Sequence, residues 1–274
     1  HAEKTAAPPQ RALVPIPIPS PRAGPASKRP PVLHRAWHDR GAVSASSSTP
    51  RVAVVTGATS GIGLALARRL HDRRYRLVLV GRDAGRLPAA RDALGATDAV
   101  VEAVDVADPD AVAQFCAGTL GRFQGIDLLV CNAGVPARQD ALATDPAVLR
   151  HVMGVNLHGM ADVTRGLWAG LASARGTVVN VVSVAGTVAT AYDAPYTASK
   201  HAALAWSRSL AAVAPRDGVH VLTVNPGPVV TPGFPQTELL RSRLARCAVI
   251  DVDRCADDIL RALHSGRSEV FVPG

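Results

Sequence analysis

No stretch of the 274 residues approaches the roughly 18–20 uninterrupted apolar positions of a membrane-spanning helix. Aromatic side chains make up only 4% of a chain that is 47% hydrophobic, so Ala, Val, Leu and Gly carry the core, which suits close packing of helices on a sheet. The four cysteines, Cys116, Cys131, Cys247 and Cys255, form no CxxC pair and stand at no zinc-like spacing from histidine. That argues against a metal centre or a structural disulfide and for a reducing, cytoplasmic setting. Cys116 and Cys131 fall in apolar runs and read as buried thiols. There is no internal repeat and no nucleic-acid recognition motif. Lysine is scarcest where it matters: residues 51–274 hold 22 arginines and one lysine, Lys200.

The net charge of +8 is unevenly spread. Residues 1–50 hold seven Lys or Arg against two acids, whereas residues 51–274 hold 23 against 20. The basic balance is therefore largely a property of the first fifty residues and weak evidence for a nucleic-acid partner. Ten of those fifty are proline, and Ser44, Ser46, Ser47 and Ser48 close the segment. Val14-Pro15-Ile16-Pro17-Ile18-Pro19 favours extended polyproline geometry, and such a segment cannot bury enough apolar surface to offset its ordering entropy. Residues 1–50 are expected to be a disordered extension. Their Arg-containing, Ser-rich, acid-poor composition also resembles an organelle transit peptide, and a misassigned start is a third reading.

From Arg51 onward, short apolar runs alternate with segments of helical period. The runs are Val52–Val55, Leu77–Val80, Ala99–Val101, Ile126–Val130, Thr177–Val182, Val219–Val224 and Val270–Val272. The helical segments are Ile62–Arg74, Gly85–Leu94, Ala111–Leu120, Pro146–Leu171, Ala194–Ala214 and Ala256–Ser265. Apolar strands separated by helices predict one α/β domain over 51–274, a doubly wound parallel sheet of about seven strands with helices on both faces. Ligands of such sheets bind at the carboxyl ends of the strands.

Motifs stand at those ends. Thr56-Gly57-Ala58-Thr59-Ser60-Gly61-Ile62-Gly63 joins the first strand to a helix, where glycines allow a tight turn and close approach to a pyrophosphate, and the helix N-terminus offers free N–H groups. The second strand ends in Gly81-Arg82-Asp83. A carboxylate here would bind a ribose 2′-hydroxyl and favour NAD; an arginine would pair with a 2′-phosphate and favour NADP. No acid closes the strand and Arg82 follows at once, so NADP is favoured and NAD remains open through Asp83, unless Asp83 caps the next helix. Asp105-Val106, Asn132-Ala133-Gly134, Ser183 and Asn225-Pro226-Gly227-Pro228-Val229-Val230-Thr231 follow later strands. Asn156 interrupts an apolar helical stripe. Tyr196 and Lys200 are four apart, on one face if helical, so the ammonium can sit beside the phenol and lower its pKa from the ordinary value of about 10.

Together these residues resemble the short-chain dehydrogenases/reductases, in their short single-domain branch, over essentially all of 51–274. The resemblance implies an enzyme that interconverts a carbonyl and an alcohol. Tyr196 would be the general acid–base group, Lys200 would lower its pKa and hold the ribose hydroxyls, Ser183 would bind the substrate oxygen, and Asn156 would position a relay water. Thr56, Gly57, Ser60, Gly61, Ile62, Gly63, Arg82, Asn132, Ala133, Gly134, Pro226 and Gly227 would form the dinucleotide site. In it, Ser60 would reach a 2′-phosphate, Asp105 and Val106 the adenine, and Val229 and Thr231 the carboxamide. It also implies a small-molecule substrate, a homodimer or homotetramer, and a substrate lid over Pro232–Leu244, short here, with Phe234 among its apolar elements. The alternatives are an NAD-dependent alcohol dehydrogenase, a 3-oxoacyl-thioester reductase and a non-catalytic nucleotide sensor.

Overall fold

Strand β1 (Val52–Thr56) is buried along its whole length, as a strand covered on both faces must be. In the computed structural model, which describes residues 50–189, 191–241 and 249–273, it lies inside a seven-stranded sheet. The other strands are β2 (Arg76–Gly81), β3 (Val100–Ala103), β4 (Leu128–Cys131), β5 (Thr177–Val181), β6 (His220–Pro226) and β7 (Glu269–Val272). Their order is β3-β2-β1-β4-β5-β6-β7 and every pairing is parallel. The chain winds outward from β1 to β3, then returns to start again at β4, so the winding reverses between β1 and β4 and opens a crevice at their carboxyl ends. Residues 1–49, expected to be disordered, lie outside the described residues, as do Cys247 and residues 242–244 of the expected lid.

Alternate strand residues supply two cores. Ala53, Val55, Leu77 and Leu79 face α1 (Gly61–Asp72), α2 (Arg86–Ala93) and, later in the chain, the helix Val252–Ser265. Val52, Val54, Val78 and Val80 face α3 (Pro109–Arg122) and the helices that follow β4 and β5. Arg69 of α1 donates to both Asp253 and Asp257, tying two helices of the first layer together. Cys116, Cys131 and Cys255 are buried free thiols, and burial pushes all three up to about 12, so they are inert packing groups. Among the described residues no helix is long and apolar enough to cross a membrane.

Two expectations about helices are corrected. Helices α3 and Val252–Ser265 start earlier than the apolar period indicates, because Asp108 and Asp251 cap them through backbone N–H groups and Pro109 occupies the first turn. The segment Pro146–Leu171 is not one helix. It comprises α4 (Pro146–Met153), a π-helical turn (Gly154–Gly159), α5 (Met160–Gly166) and α6 (Trp168–Ala174). The chain then continues through α7 (Ala194–Val213), the short α8 (Thr237–Arg241) and α9 (Val252–Ser265).

Candidate active site

The turn after β1 is shaped by close backbone approach. Gly57 has φ +64°, and a Cβ there would lie 2.8 Å from Asn132 Nδ2. Gly61, with φ +55°, opens the twelve-residue α1, so the first N–H groups of that helix face the crevice. Ser60 precedes the helix in an extended conformation and its hydroxyl makes no capping bond. The residues present fit a pyrophosphate: a turn opened by Gly57 and Gly61 at the positive end of a helix. Thr56 is a hub instead of a contact. Its Oγ1 donates to Val130 O at 3.3 Å and accepts from Asn132 N at 3.0 Å and Ala133 N at 3.1 Å. Asn132 Nδ2 answers by donating to Thr56 O and Gly57 O. These bonds lock the end of β4 to the turn.

At the end of β2, Arg82 and Arg86 are exposed and both line the crevice, while Arg86 Nη2 donates to Thr59 O at 3.4 Å. Asp83 does not line it. Its Oδ1 accepts from Gly85 N at 2.9 Å and Arg86 N at 3.2 Å, holding the turn into α2. The carboxylate that would have argued for NAD is thus committed to backbone. Beyond β3, Asp105 accepts from Ala107 N at 3.0 Å and lies beside Val106 on the crevice wall.

At the other end, β5 runs into Ser183, whose Oγ accepts from Ala185 N at 3.1 Å and is hydrogen-bonded to the Tyr196 hydroxyl. Tyr196 stands in the first turn of α7, its ring 5.3 Å from that of Phe234 at a 52° tilt. Lys200, one turn on, is buried and donates from Nζ to Val181 O at 3.3 Å. The expected lowering of the phenol's pKa is not found. Burial pushes Tyr196 up to about 12, against the pull of the Ser183 hydrogen bond and with a further rise from the Asp193 charge. Nζ lies 5.6 Å from the ring centroid and is bonded to a carbonyl, and burial lowers its own pKa to about 8. Desolvation disfavours the charged form of both groups and is the largest cause of each shift.

Asn156, in the π-helical turn, is 2% exposed and spends its side chain on protein partners. Oδ1 accepts from Val135 N at 2.8 Å, and Nδ2 donates to Val135 O at 3.1 Å and to Ser199 Oγ at 2.9 Å. Ser199 Oγ donates in turn to Tyr196 O at 2.7 Å. Asn156 therefore holds the loop after β4 against the first turn of α7, and its amide faces that loop instead of the crevice.

The loop after β6 closes the site from above. Gly227 N donates to Val272 O at 2.7 Å, and Thr231 packs over the turn, its Cγ2 3.2 Å from where a Gly61 Cβ would stand. One crevice of about 720 Å³ collects Gly57, Ser60, Gly61, Ile62, Arg82, Asp105, Val106, Asn132, Ala133 and Gly134 with Ser183, Tyr196, Lys200, Pro226, Gly227, Val229 and Thr231. Three residues expected in the site stand behind its wall: Thr56, Asn156 and Gly63, where a Cβ would meet Gly57 O at 2.3 Å. Among the charged wall residues, sequence reasoning missed Arg86, Arg138 and Asp193. Asp193 is the one with a legible signal, three positions before Tyr196.

The sequence pattern of the short chain dehydrogenase family matches residues 51–239. A putative ketoacyl reductase of granaticin polyketide synthase from Streptomyces violaceoruber is 34% identical over 79% of this chain and 80% of its own length. Galactitol 2-dehydrogenase (L-tagatose-forming) from Cereibacter sphaeroides is 38% identical over 65% of this chain and 71% of its own. Dehydrogenase/reductase SDR family member 7B of Bos taurus is 34% identical over 66% of this chain, a match that spans only 58% of that relative. Among solved structures, L-sorbose reductase from Gluconobacter frateurii with NADPH and L-sorbose superposes with TM-score 0.74 at 25% identity, over 82% of this chain and 95% of that one. A metagenomic short-chain oxidoreductase with NADP gives TM-score 0.69 at 33% identity, over 82% and 98%.

Proposed function

The chain belongs to the short-chain dehydrogenases, a family of oxidoreductases, and on that premise we propose that it interconverts a carbonyl and an alcohol with NADP(H), Tyr196 serving as the proton donor and acceptor. The carrying observation is the hydrogen-bonded pair of Tyr196 and Ser183, set with Lys200 at one end of the crevice whose other end is the glycine turn. NADP(H) over NAD(H) is supported by two arginines, Arg82 and Arg86, on the crevice wall at β2 and by the engagement of Asp83 with backbone. The glycine turn and α1 would hold the pyrophosphate, Asp105 and Val106 the adenine, Lys200 the ribose hydroxyls, and Val229 and Thr231 the carboxamide. When bound, the dinucleotide supplies or accepts the hydride.

The residues do the rest. A phenol held at about 12 carries its proton at neutral pH and can give it to an oxygen that gains negative charge. Ser183 offers a hydroxyl to the same oxygen. Lys200, largely protonated at pH 7, stands one helical turn behind and favours the phenolate left after transfer. In the alcohol-to-carbonyl direction the phenolate must form first, against burial, so the polarity of the site favours reduction near neutrality. Asn156 acts through position, fixing the Val135 loop and Ser199 around Tyr196.

A 3-oxoacyl thioester is a second substrate reading, favoured by the ketoacyl reductase among the relatives. The test is NADPH oxidation against aldehydes, diketones, quinones, steroids, keto-sugars and 3-oxoacyl thioesters, with Tyr196→Phe as the blank. Turnover lost in the variant supports the reading and names the substrate class; equal turnover in the variant removes Tyr196 from the mechanism. A homodimer or homotetramer is expected from the resemblance, and light scattering of the full chain checks it.

A further inference from the structure

Lysine occurs three times in the whole chain, as Lys4, Lys28 and Lys200, and only the last falls in the described fold. That amine combines burial with a route to solvent: the residue is 5% exposed, yet its side chain lines the crevice. Among the described residues its one hydrogen bond runs to Val181 O, and no carboxylate is paired with it. The groups packed around it are neutral. Strand β5 offers a carbonyl, and the loop after β4 offers Gly134, where a Cβ would stand 3.6 Å from Nζ. The π-helical turn offers the Asn156 amide, already engaged. Its own helix offers Tyr196, with the ring centroid 5.6 Å from Nζ, and the nearest carboxylate on that helix end, Asp193, acts on Tyr196.

We propose that Lys200 is a carbonyl-reactive amine, at which an aldehyde entering the crevice condenses to an imine in competition with the dinucleotide. The Nζ lone pair adds to the carbonyl carbon, both amine hydrogens leave with the carbonyl oxygen as water, and a C=N bond replaces the C=O bond. No electrons are gained or lost, so the step needs no oxidant or reductant. Tyr196 and Ser183 stand within the same end of the crevice, where a hydroxyl can protonate the departing oxygen. Burial without a counter-ion lowers Lys200 to about 8. At pH 7 roughly a tenth of the molecules then carry the neutral, nucleophilic amine, against fewer than about one in a thousand for an ordinary lysine near 10.4. The competition rests on the function proposed above, since the dinucleotide ribose is placed at Lys200; the reactivity of the amine does not. The consequence is an enzyme that aldehydes inhibit when they reach it before the dinucleotide does.

The full chain is treated at pH 7 with benzaldehyde and sodium cyanoborohydride, which traps imines as stable secondary amines, and modified peptides are followed by mass spectrometry. Lys4 and Lys28 serve as references in the same molecule. Lys200 is expected to be modified at least tenfold faster than either, and NADP⁺ is expected to slow Lys200 alone. The Lys200→Arg protein, checked for fold by circular dichroism, should lose the fast site and keep the two slow ones. Modification of Lys200 no faster than Lys4 and Lys28 overturns the proposal. So does fast modification that NADP⁺ leaves unchanged while calorimetry shows NADP⁺ bound. Fast modification with no NADP⁺ binding by calorimetry upholds the amine and overturns the cofactor reading instead.

Discussion

Replacing Gly63 with alanine sets two opposing effects against each other inside α1. Within a helix, glycine to alanine ordinarily stabilises by about 1 kcal/mol, because alanine has less backbone freedom to lose on folding than glycine. At Gly63 the added Cβ would stand 2.3 Å from Gly57 O and 2.5 Å from Asn132 Nδ2, roughly 1 Å inside ordinary contact distance. Neither neighbour can yield cheaply. One is backbone in the glycine turn; the other is an amide that donates to Thr56 O at 3.1 Å and Gly57 O at 3.2 Å. Overpacking of this kind costs about 1–3 kcal/mol, and losing the two Asn132 bonds adds about 1 kcal/mol each. The net is a destabilisation of about 2–4 kcal/mol, which for a domain of this size lowers Tm by roughly 4–16 °C. Thermal unfolding monitored by circular dichroism reads it directly. Gly118→Ala supplies the control: it sits in α3 with nothing within 4 Å of its Cβ position, so the propensity gain should appear alone. A Gly63→Ala protein as stable as wild type, or shifted in the same direction as Gly118→Ala, would refute the close approach of α1 to the end of β4.

Arg82→Ala and Arg86→Ala should each weaken NADPH binding about tenfold, the lower end for a charge-assisted bond at an exposed site, while NADH binding by fluorescence titration stays unchanged; equal losses for both nucleotides would point away from the 2′-phosphate. Asn156→Ala leaves Val135 N–H, Val135 O and Ser199 Oγ without their partner and should cost about 2–3 kcal/mol in denaturant unfolding, with kcat falling more than KM rises; unchanged kcat would limit Asn156 to structure. The Lys200 ammonium is held at about 8 against an ordinary 10.5, so between those values the unfolded chain binds more protons than the folded one and stability rises with pH. Lys200→Met, free of that penalty, should be more stable than wild type at pH 7 by about 3 kcal/mol, and its advantage should shrink as pH climbs from 8 toward 10; a difference constant with pH would contradict the burial of the charge.

The sheet was legible because its strands are buried on both faces: runs such as Val52–Val55 and Leu77–Val80 have no other economical reading, and their spacing leaves room for one helix each. The starts of α3 and α9 were less so, since Asp108 and Asp251 are polar residues outside the apolar period, and capping is a local hydrogen bond that periodicity does not register. The break in Pro146–Leu171 carried a sign in Gly154, Gly159 and Gly166. Its cause is distant: a Cβ at Gly159 would meet Val106 O at 2.6 Å, and one at Gly166 would meet Cys116 Sγ at 2.5 Å. In the site, the motif residues were found and their division of labour was not. Thr56, Gly63 and Asn156 belong to the pattern because they hold the crevice's frame. Arg86 and Arg138 reach the wall through the path of loops, which spacing along the chain does not encode. The phenol's raised pKa was likewise invisible, since it follows from burial, and burial is a property of the assembled fold.

The π-helical turn at Gly154–Gly159 places one extra residue in the winding of the helix that follows β4. Asn156 points at Val135 and Ser199 because of it, while Met160 and Val163 still pack into the sheet-facing core. Alignment of the site is thereby coupled to the length of a helix, and the coupling has an evolutionary reading. A lineage that lost one codon between Gly154 and Gly159 would relax this turn to ordinary helix and keep its glycine turn, its serine, its tyrosine and its lysine intact. Its gene would still spell a dehydrogenase, but the asparagine would face the wrong way.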